Sequence, residues 1–141
     1  MVEESDPRTA LISLHPEWAD AIFQGRKTVE FRRNVPVRPV SHIVVYVTKP
    51  VGHVAGHFTV RAIHEDTPSR LWDRFGDRGC ISRHRFRRYY RSASVGFAIE
   101  IGEAVPLETP INLRDIDGGL SAPQNFRYLP SVVAGALLAL P

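Results

Sequence analysis

The chain has one cysteine and two lysines among its 141 residues, and it has no long apolar run. A lone Cys80 excludes an intramolecular disulfide and any multi-cysteine zinc site. Because Lys27 and Lys49 are the only lysines among 18 basic residues, arginine carries nearly all the positive charge. The planar arginine fork suits bidentate contact with a phosphate or a base edge. The longest apolar run, 132–140, falls far short of the ~20 residues a spanning helix needs. The opening segment 1–6 is polar and acidic, with no basic stretch leading into an apolar one, so no secretion signal is expected. The expectation is a soluble, cytoplasmic protein with no membrane partner.

Apolar residues make up 43% of the chain and charged residues 23%, a balance that excludes wholesale disorder. The length suits one domain with a proper core and is too short for two. Net charge is +3 and the isoelectric point is about 9.4. No internal repeat and no low-complexity tract occurs.

Hydrophobic periodicity and turn residues give an order of elements. A short strand is expected over 9–14. His15-Pro16-Glu17 then opens a helix, with proline at its first position and an acid at the positive end of the dipole. Trp18, Ala19, Ile22 and Phe23 fall at helical spacing. Gly25 ends that helix in the left-handed conformation. Strands follow over 28–32, over 42–48 as a central strand covered on both faces, and over 54–63, where Gly56 marks a bulge or a bend. Helices are expected over 69–75, with Trp72 as its core anchor, and over 82–91, with Ser82 as N-cap. A strand over 95–101 has 104–111 as hairpin partner or continuation. Segment 116–128 is expected to be mostly loop. The apolar segment 132–140 docks as a short helix or forms an interface.

The stretch Gly25-Arg26-Lys27-Thr28-Val29-Glu30-Phe31-Arg32-Arg33 is central. Side chains alternate along a strand, so Val29 and Phe31 share one face and Thr28, Glu30 and Arg32 the other. The first face is core. The second is either a solvated strand face or a site with a carboxylate and a guanidinium side by side and Lys27 next to them.

Arg83, Arg85, Arg87, Arg88 and Arg91 lie close together with Tyr89 and Tyr90, and no acid interrupts 82–94. Arg83, Arg87 and Arg91 share a helical face. Such a stripe is a phosphate-contacting surface or a solvated helix face. The six histidines are scattered. His53 and His57 are four apart, but they fall on a turn and a strand, so no metal site is expected.

The segments Ser13-Leu14-His15-Pro16-Glu17-Trp18-Ala19 and Ile22-Phe23-Gln24-Gly25-Arg26-Lys27-Thr28-Val29-Glu30-Phe31-Arg32-Arg33 resemble the N-terminal hallmark of the ASCH-domain family. Val44-Val45-Tyr46-Val47-Thr48-Lys49-Pro50 and Val54-Ala55-Gly56-His57-Phe58 resemble its next two strands. Ala122-Pro123-Gln124-Asn125-Phe126-Arg127-Tyr128-Leu129 resembles the closing segment of phage- and actinobacterial-type members. The resemblance spans 10–129. Five or so strands with short helices inserted between them already suggest a small mixed β-barrel of the α+β class, and the resemblance implies that it is PUA-like. The resemblance divides the chain into a flexible N-terminus (1–8), the domain (9–129) and an apolar tail (130–141). It also implies a cleft that accepts a nucleobase or nucleotide.

The family includes amidohydrolases acting on acetylated cytidine, and ribonucleases. The resemblance matches the catalytic lysine of the amidohydrolase branch to Lys27. That branch has a threonine nucleophile three residues later, where this chain has Glu30. A carboxylate does not replace a hydroxyl in that mechanism, so the deacetylase reading is weakened.

Three functions follow. The first is a module that binds RNA, another single-stranded nucleic acid, or a modified nucleotide. Ser13, Lys27, Glu30, Arg32, Tyr46, Thr48 and Gln124 would border the base. Arg33 and the stripe Arg83, Arg85, Arg87, Arg88 and Arg91 would hold the backbone. The second is a hydrolase of RNA or of a modified nucleoside, with Lys27 and Glu30 in general acid–base roles. The third is a small-ligand sensor in which the stripe plays no part. The plainer alternatives are Lys27–Glu30 or Glu30–Arg32 ion pairs closing the barrel mouth, a core tyrosine at Tyr46 and a loop-anchoring Gln124. No cofactor is expected, and the protein is a monomer or a homodimer.

Overall fold

The computed structural model describes residues 8–141, so the flexible segment expected over 1–8 lies, apart from Arg8, outside the described residues. Among the described residues there are six strands: β1 (Thr9–Leu14), β2 (Val29–Arg32), β3 (His42–Val47), β4 (His53–Asp66), β5 (Gly96–Ile111) and β6 (Phe126–Leu129). The helices are α1 (Pro16–Phe23), α2 (Pro68–Phe75), α3 (Arg83–Tyr89), α4 (Leu113–Ile116) and α5 (Ser131–Leu138), with a 3-10 turn at Gly76–Arg78.

The strands make one sheet in the order β2-β5-β4-β3-β1-β6. β1 and β3 are parallel and the other neighbours are antiparallel. The mixed α+β class is as expected, but the sheet is not closed into a barrel. β2 and β6 are both edges. Each is only four residues long, too short to carry a ladder around the gap. One side chain crosses it: Arg32 Nη2 donates to the Asn125 carbonyl at 3.0 Å. β4 and β5 have 14 and 16 residues, and their register slips at Val54/Gly56, Phe58/Val60 and Val60/Ala62. Such bulges bend and twist a strand pair, which curls the sheet.

Three buried clusters hold the layers together. Ala10, Ile12, Ile43, Val45, Phe58 and Ile99 fill the curled sheet under Ala19 and Ile22 of α1. Leu11, Val44 and Leu129 meet Leu113 of α4 and Ala134 and Leu137 of α5 on the other side of the sheet. Val29 and Phe31 of β2 pack with Leu71 and Phe75 of α2 and with Phe86 and Tyr90. Phe31 and Phe86 meet edge to face at 4.8 Å, a geometry that adds ~1 kcal/mol to their burial.

Local signals account for most boundaries. Pro16 starts α1, and Gly25 follows it at φ +80°. The hydroxyls of Thr67 and Ser82 accept from the Arg70 and Arg85 amides and cap α2 and α3. Segment 104–111 continues β5 instead of forming a hairpin. α3 stops at Tyr89, earlier than expected, because Tyr90 turns into the third cluster. β6 falls in a region expected to be loop. It is held by pairing with β1, from Ile12↔Phe126 to Thr9↔Leu129, a distant contact that a local window does not report.

Candidate functional site

The open seam of the sheet holds a cavity of about 420 Å³. β1 ends there with Ser13 and Leu14, and α1 brings His15 and Trp18. β2 and its flanks bring Lys27, Glu30, Arg32 and Arg33. α3 adds Arg85, Arg88 and Tyr89, and the segment before β6 adds Gln124 and Asn125. Two tyrosines tie α3 to β2. The Tyr90 hydroxyl donates to the Arg32 carbonyl at 3.0 Å, and the Arg33 amide donates to the Tyr89 hydroxyl at 3.1 Å.

The Glu30 face of β2 is not solvated. Lys27 is 4% exposed and Glu30 5%. The amides of Arg26 and Lys27 both donate to the Ala21 carbonyl at 3.0 Å, so α1 fixes the turn that carries the lysine. Lys27 Nζ donates to the Gly79 carbonyl at 2.7 Å and lies 3.3 Å from Glu30 Oε1. A Cβ on residue 79 would meet Phe31 Cε2 at 2.4 Å, so only glycine brings that carbonyl so close. The second Glu30 oxygen accepts from Arg32 Nη1 at 3.3 Å. Both ion pairs foreseen as a plain closure are therefore present, and they line a cavity. Two cations against one carboxylate leave the cluster with an excess of one positive charge. An ammonium has three protons. One goes to the Gly79 carbonyl, and the nitrogen stands within ion-pair distance of Glu30.

Aromatic rings and arginines surround this floor. Lys27 Nζ is 5.3 Å from the centre of the Trp18 ring, and the Arg85 guanidinium lies over the same ring at 4.7 Å. Arg33 lies over Tyr89 at 4.9 Å. Arg85 also forks onto Glu17 at 3.1 and 3.3 Å. That hydrogen bond holds the Glu17 carboxyl below its usual range and raises Arg85. Ser13 Oγ donates to the Pro123 carbonyl at 2.7 Å and so anchors the segment that carries Gln124.

Not all the expected residues converge. Ser13, Lys27, Glu30, Arg32, Arg33, Arg85, Arg88 and Gln124 line the cavity. Tyr46 does not: it is 8% exposed and sits in the second cluster, the core-tyrosine alternative. Thr48 stands behind His15, its Oγ1 3.5 Å from Nδ1, and is not part of the lining. Arg83, Arg87 and Arg91 lie on the other side of α3. Trp18, His15, Tyr89 and Asn125 were not singled out as site residues. The helical spacing of Trp18 suggested core only, although its place just after His15-Pro16-Glu17 put it at the mouth of the same turn. Among the described residues, no group of three or more His, Cys, Asp and Glu side chains is placed to hold a metal ion.

The ASCH domain family model matches residues 12–109. This chain belongs to the ASCH domain family. A Zymomonas mobilis protein named ASCH domain-containing ribonuclease is 34% identical over 144 residues, covering 99% of this chain and 97% of its own length. The crystal structure of ASCH from Zymomonas mobilis resembles this ASCH domain with a TM-score of 0.87 at 34% identity, over 94% of this chain and 95% of that one. The N-terminal domain of Staphylothermus marinus McrB gives a TM-score of 0.60 at 14% identity over 93% of each chain, a likeness of fold alone. These comparisons support the family, but not the phage- or actinobacterial-type branch that the closing segment suggested.

Proposed function

We propose that this ASCH domain binds single-stranded RNA and seats a base, plain or modified, in the seam cavity. The observation that carries the reading is the buried Lys27–Glu30–Arg32 cluster at the floor of a basic, aromatic-lined cavity. The volume lies within the roughly 300–1,000 Å³ range of small-molecule sites. Glu30 accepts from an exocyclic amine, as carboxylates do with cytosine. Arg33 and Arg88 present forks to a phosphate. Trp18 and Tyr89 offer ring faces, and stacking contributes ~1–3 kcal/mol per base. In this reading the protein works in the cytoplasm, as a monomer or a homodimer.

A second reading is a ribonuclease, favoured by the name of the Zymomonas mobilis relative. As the attacking hydroxyl bonds to phosphorus and the P–O bond to the leaving oxygen breaks, Glu30 would take the hydroxyl proton and the Lys27 ammonium would give one to the leaving oxygen. The deacetylase alternative gains no support. Glu30 stands where that branch has its nucleophile, and both its oxygens are held by cations.

Incubation of labelled single-stranded RNA with the protein and with Lys27→Ala, at two salt concentrations, tests both readings. Binding that weakens with salt and leaves the RNA intact on a denaturing gel supports the module, since phosphate contacts release counterions. Cleavage by the wild type that disappears in Lys27→Ala supports the ribonuclease. Absence of both binding and cleavage rejects the RNA reading and leaves free modified nucleosides as the ligand class.

A further inference from the structure

Helix α3 has two basic faces, and only one of them serves the seam cavity. Arg85 and Arg88 face that cavity. Arg83 and Arg87, one helical turn apart, form the opposite face, and Arg91, two residues past the end of α3, joins them at the same cavity. That face lines a separate cavity of about 270 Å³ between α3 and α2, walled by Trp72 and Ser69. We propose that this cavity is a second nucleotide subsite, and that one RNA strand lies over α3 with neighbouring nucleotides in the two cavities. The proposal rests on the RNA reading above.

Three observations support it. First, Arg83, Arg87 and Arg91 are exposed and, among the described residues, none has an acidic partner. On the other face, Arg85 is neutralised by Glu17. Like charges one turn apart destabilise a helix, and an anion bound from outside the chain would relieve that repulsion. Second, the cavity has an aromatic wall. The Trp72 ring is half-buried, held against Phe86 at 5.0 Å, and lines the cavity, which places an aromatic group beside any base seated there. Third, an α-helix with its side chains is roughly 10–12 Å across, too wide for one nucleotide to reach both cavities. A single ligand that fills both must therefore be an oligomer.

The test uses two probes: uridine monophosphate, and a 2′-O-methyl oligouridylate of about 12 nucleotides, which resists attack by its own sugar hydroxyls and lies within the site sizes of single-strand binders. The chain has only two tryptophans, one at each cavity. Trp18→Phe therefore leaves Trp72 as the fluorescent reporter of the second cavity, and Trp72→Phe leaves Trp18 for the first. The oligomer is expected to change both signals, and the mononucleotide only that of Trp18. The triple variant Arg83→Ser, Arg87→Ser and Arg91→Ser replaces exposed side chains only and spares the core. It should weaken the oligomer by about tenfold or more and leave the mononucleotide within about twofold. A silent Trp72 with an oligomer that still moves Trp18 overturns the second subsite, as does a triple variant that binds the oligomer like the wild type; both leave the RNA reading standing. Wild-type protein that binds neither probe overturns both proposals.

Discussion

Two ionic groups at the same cavity use the same kinds of side chain at nearly the same distances, yet they differ in what they commit the protein to. Lys27–Glu30 and Arg32–Glu30 sit at 3.3 Å, with side-chain exposures of 4%, 7% and 12%. Arg85–Glu17 sits at 3.1 Å with exposures of 43% and 56%. Separation does not distinguish them, but the surrounding medium does, because attraction and desolvation both grow as water is removed. The buried cluster is part of the fold and is fixed before any ligand arrives. The exposed pair is held weakly by a long side chain, so in the proposed reading Arg85 would exchange Glu17 for a phosphate. A rigid floor under a movable rim is what a site for a flexible strand requires.

The largest effect expected from this contrast is on stability. Glu30→Leu leaves Lys27 and Arg32 buried without their carboxylate, and removing one partner of a buried pair costs ~3–5 kcal/mol. Urea unfolding should show a large fall in midpoint, while Glu17→Leu, measured beside it, leaves the midpoint where it was. Equal midpoints for the two variants would dissolve the distinction between floor and rim.

A third ionic group lies between these extremes and sharpens the comparison through pH. Glu100 is 17% exposed; it accepts from His64 at 2.6 Å and from Arg78 at 3.1 Å. The His64 hydrogen bond, followed by Arg78, holds its carboxyl below the ordinary value of 4.5. A carboxyl depressed in the folded state binds fewer protons there than in the unfolded chain. Its stabilisation is complete above pH 4.5 and is lost as pH falls through the depressed value. Glu100→Gln should lower the unfolding midpoint at neutral pH by less than Glu30→Leu does. It should also flatten the decline of stability below pH 4.5. A decline as steep in Glu100→Gln as in the wild type would remove Glu100 from the acid response.

The β2 stretch shows how much of this site was legible in the sequence. The alternation of Val29 and Phe31 against Glu30 and Arg32 followed from the geometry of a strand, and the Gly25 stop set where it begins. The depth of Lys27 and Glu30 did not. Their burial comes from α1, from the Gly79 carbonyl and from the packing of α3, all distant in sequence. Tyr46 illustrates the opposite error. On a strand covered on both faces a tyrosine looks the same whether it borders a cleft or lies under a helix. Only the docking of α5 onto Leu11, Val44 and Tyr46 assigns it to the core. The open seam was also beyond local reading. The barrel was inferred from the order of strands and short helices and from a resemblance, whereas closure depends on whether two four-residue edges meet. The arginine stripe was visible as a stripe, but its division between two cavities depends on α2 lying along one side of α3.

The smallest expected effect falls on the rim. Glu17→Ala removes the acid that occupies Arg85 and leaves the buried floor untouched. Rim charges act mainly on association rate and salt dependence, so RNA should bind faster and about twofold tighter, with a steeper salt slope. Rapid-mixing measurement of association at two salt concentrations checks this. The opposite sign is informative. If Glu17→Ala binds more slowly or more weakly, Glu17 is aiming Arg85 across Trp18 at the cavity. The exposed pair would then be a fixed part of the site, as preorganised as the cluster beneath it, and the line between floor and rim would have to be drawn outside α1.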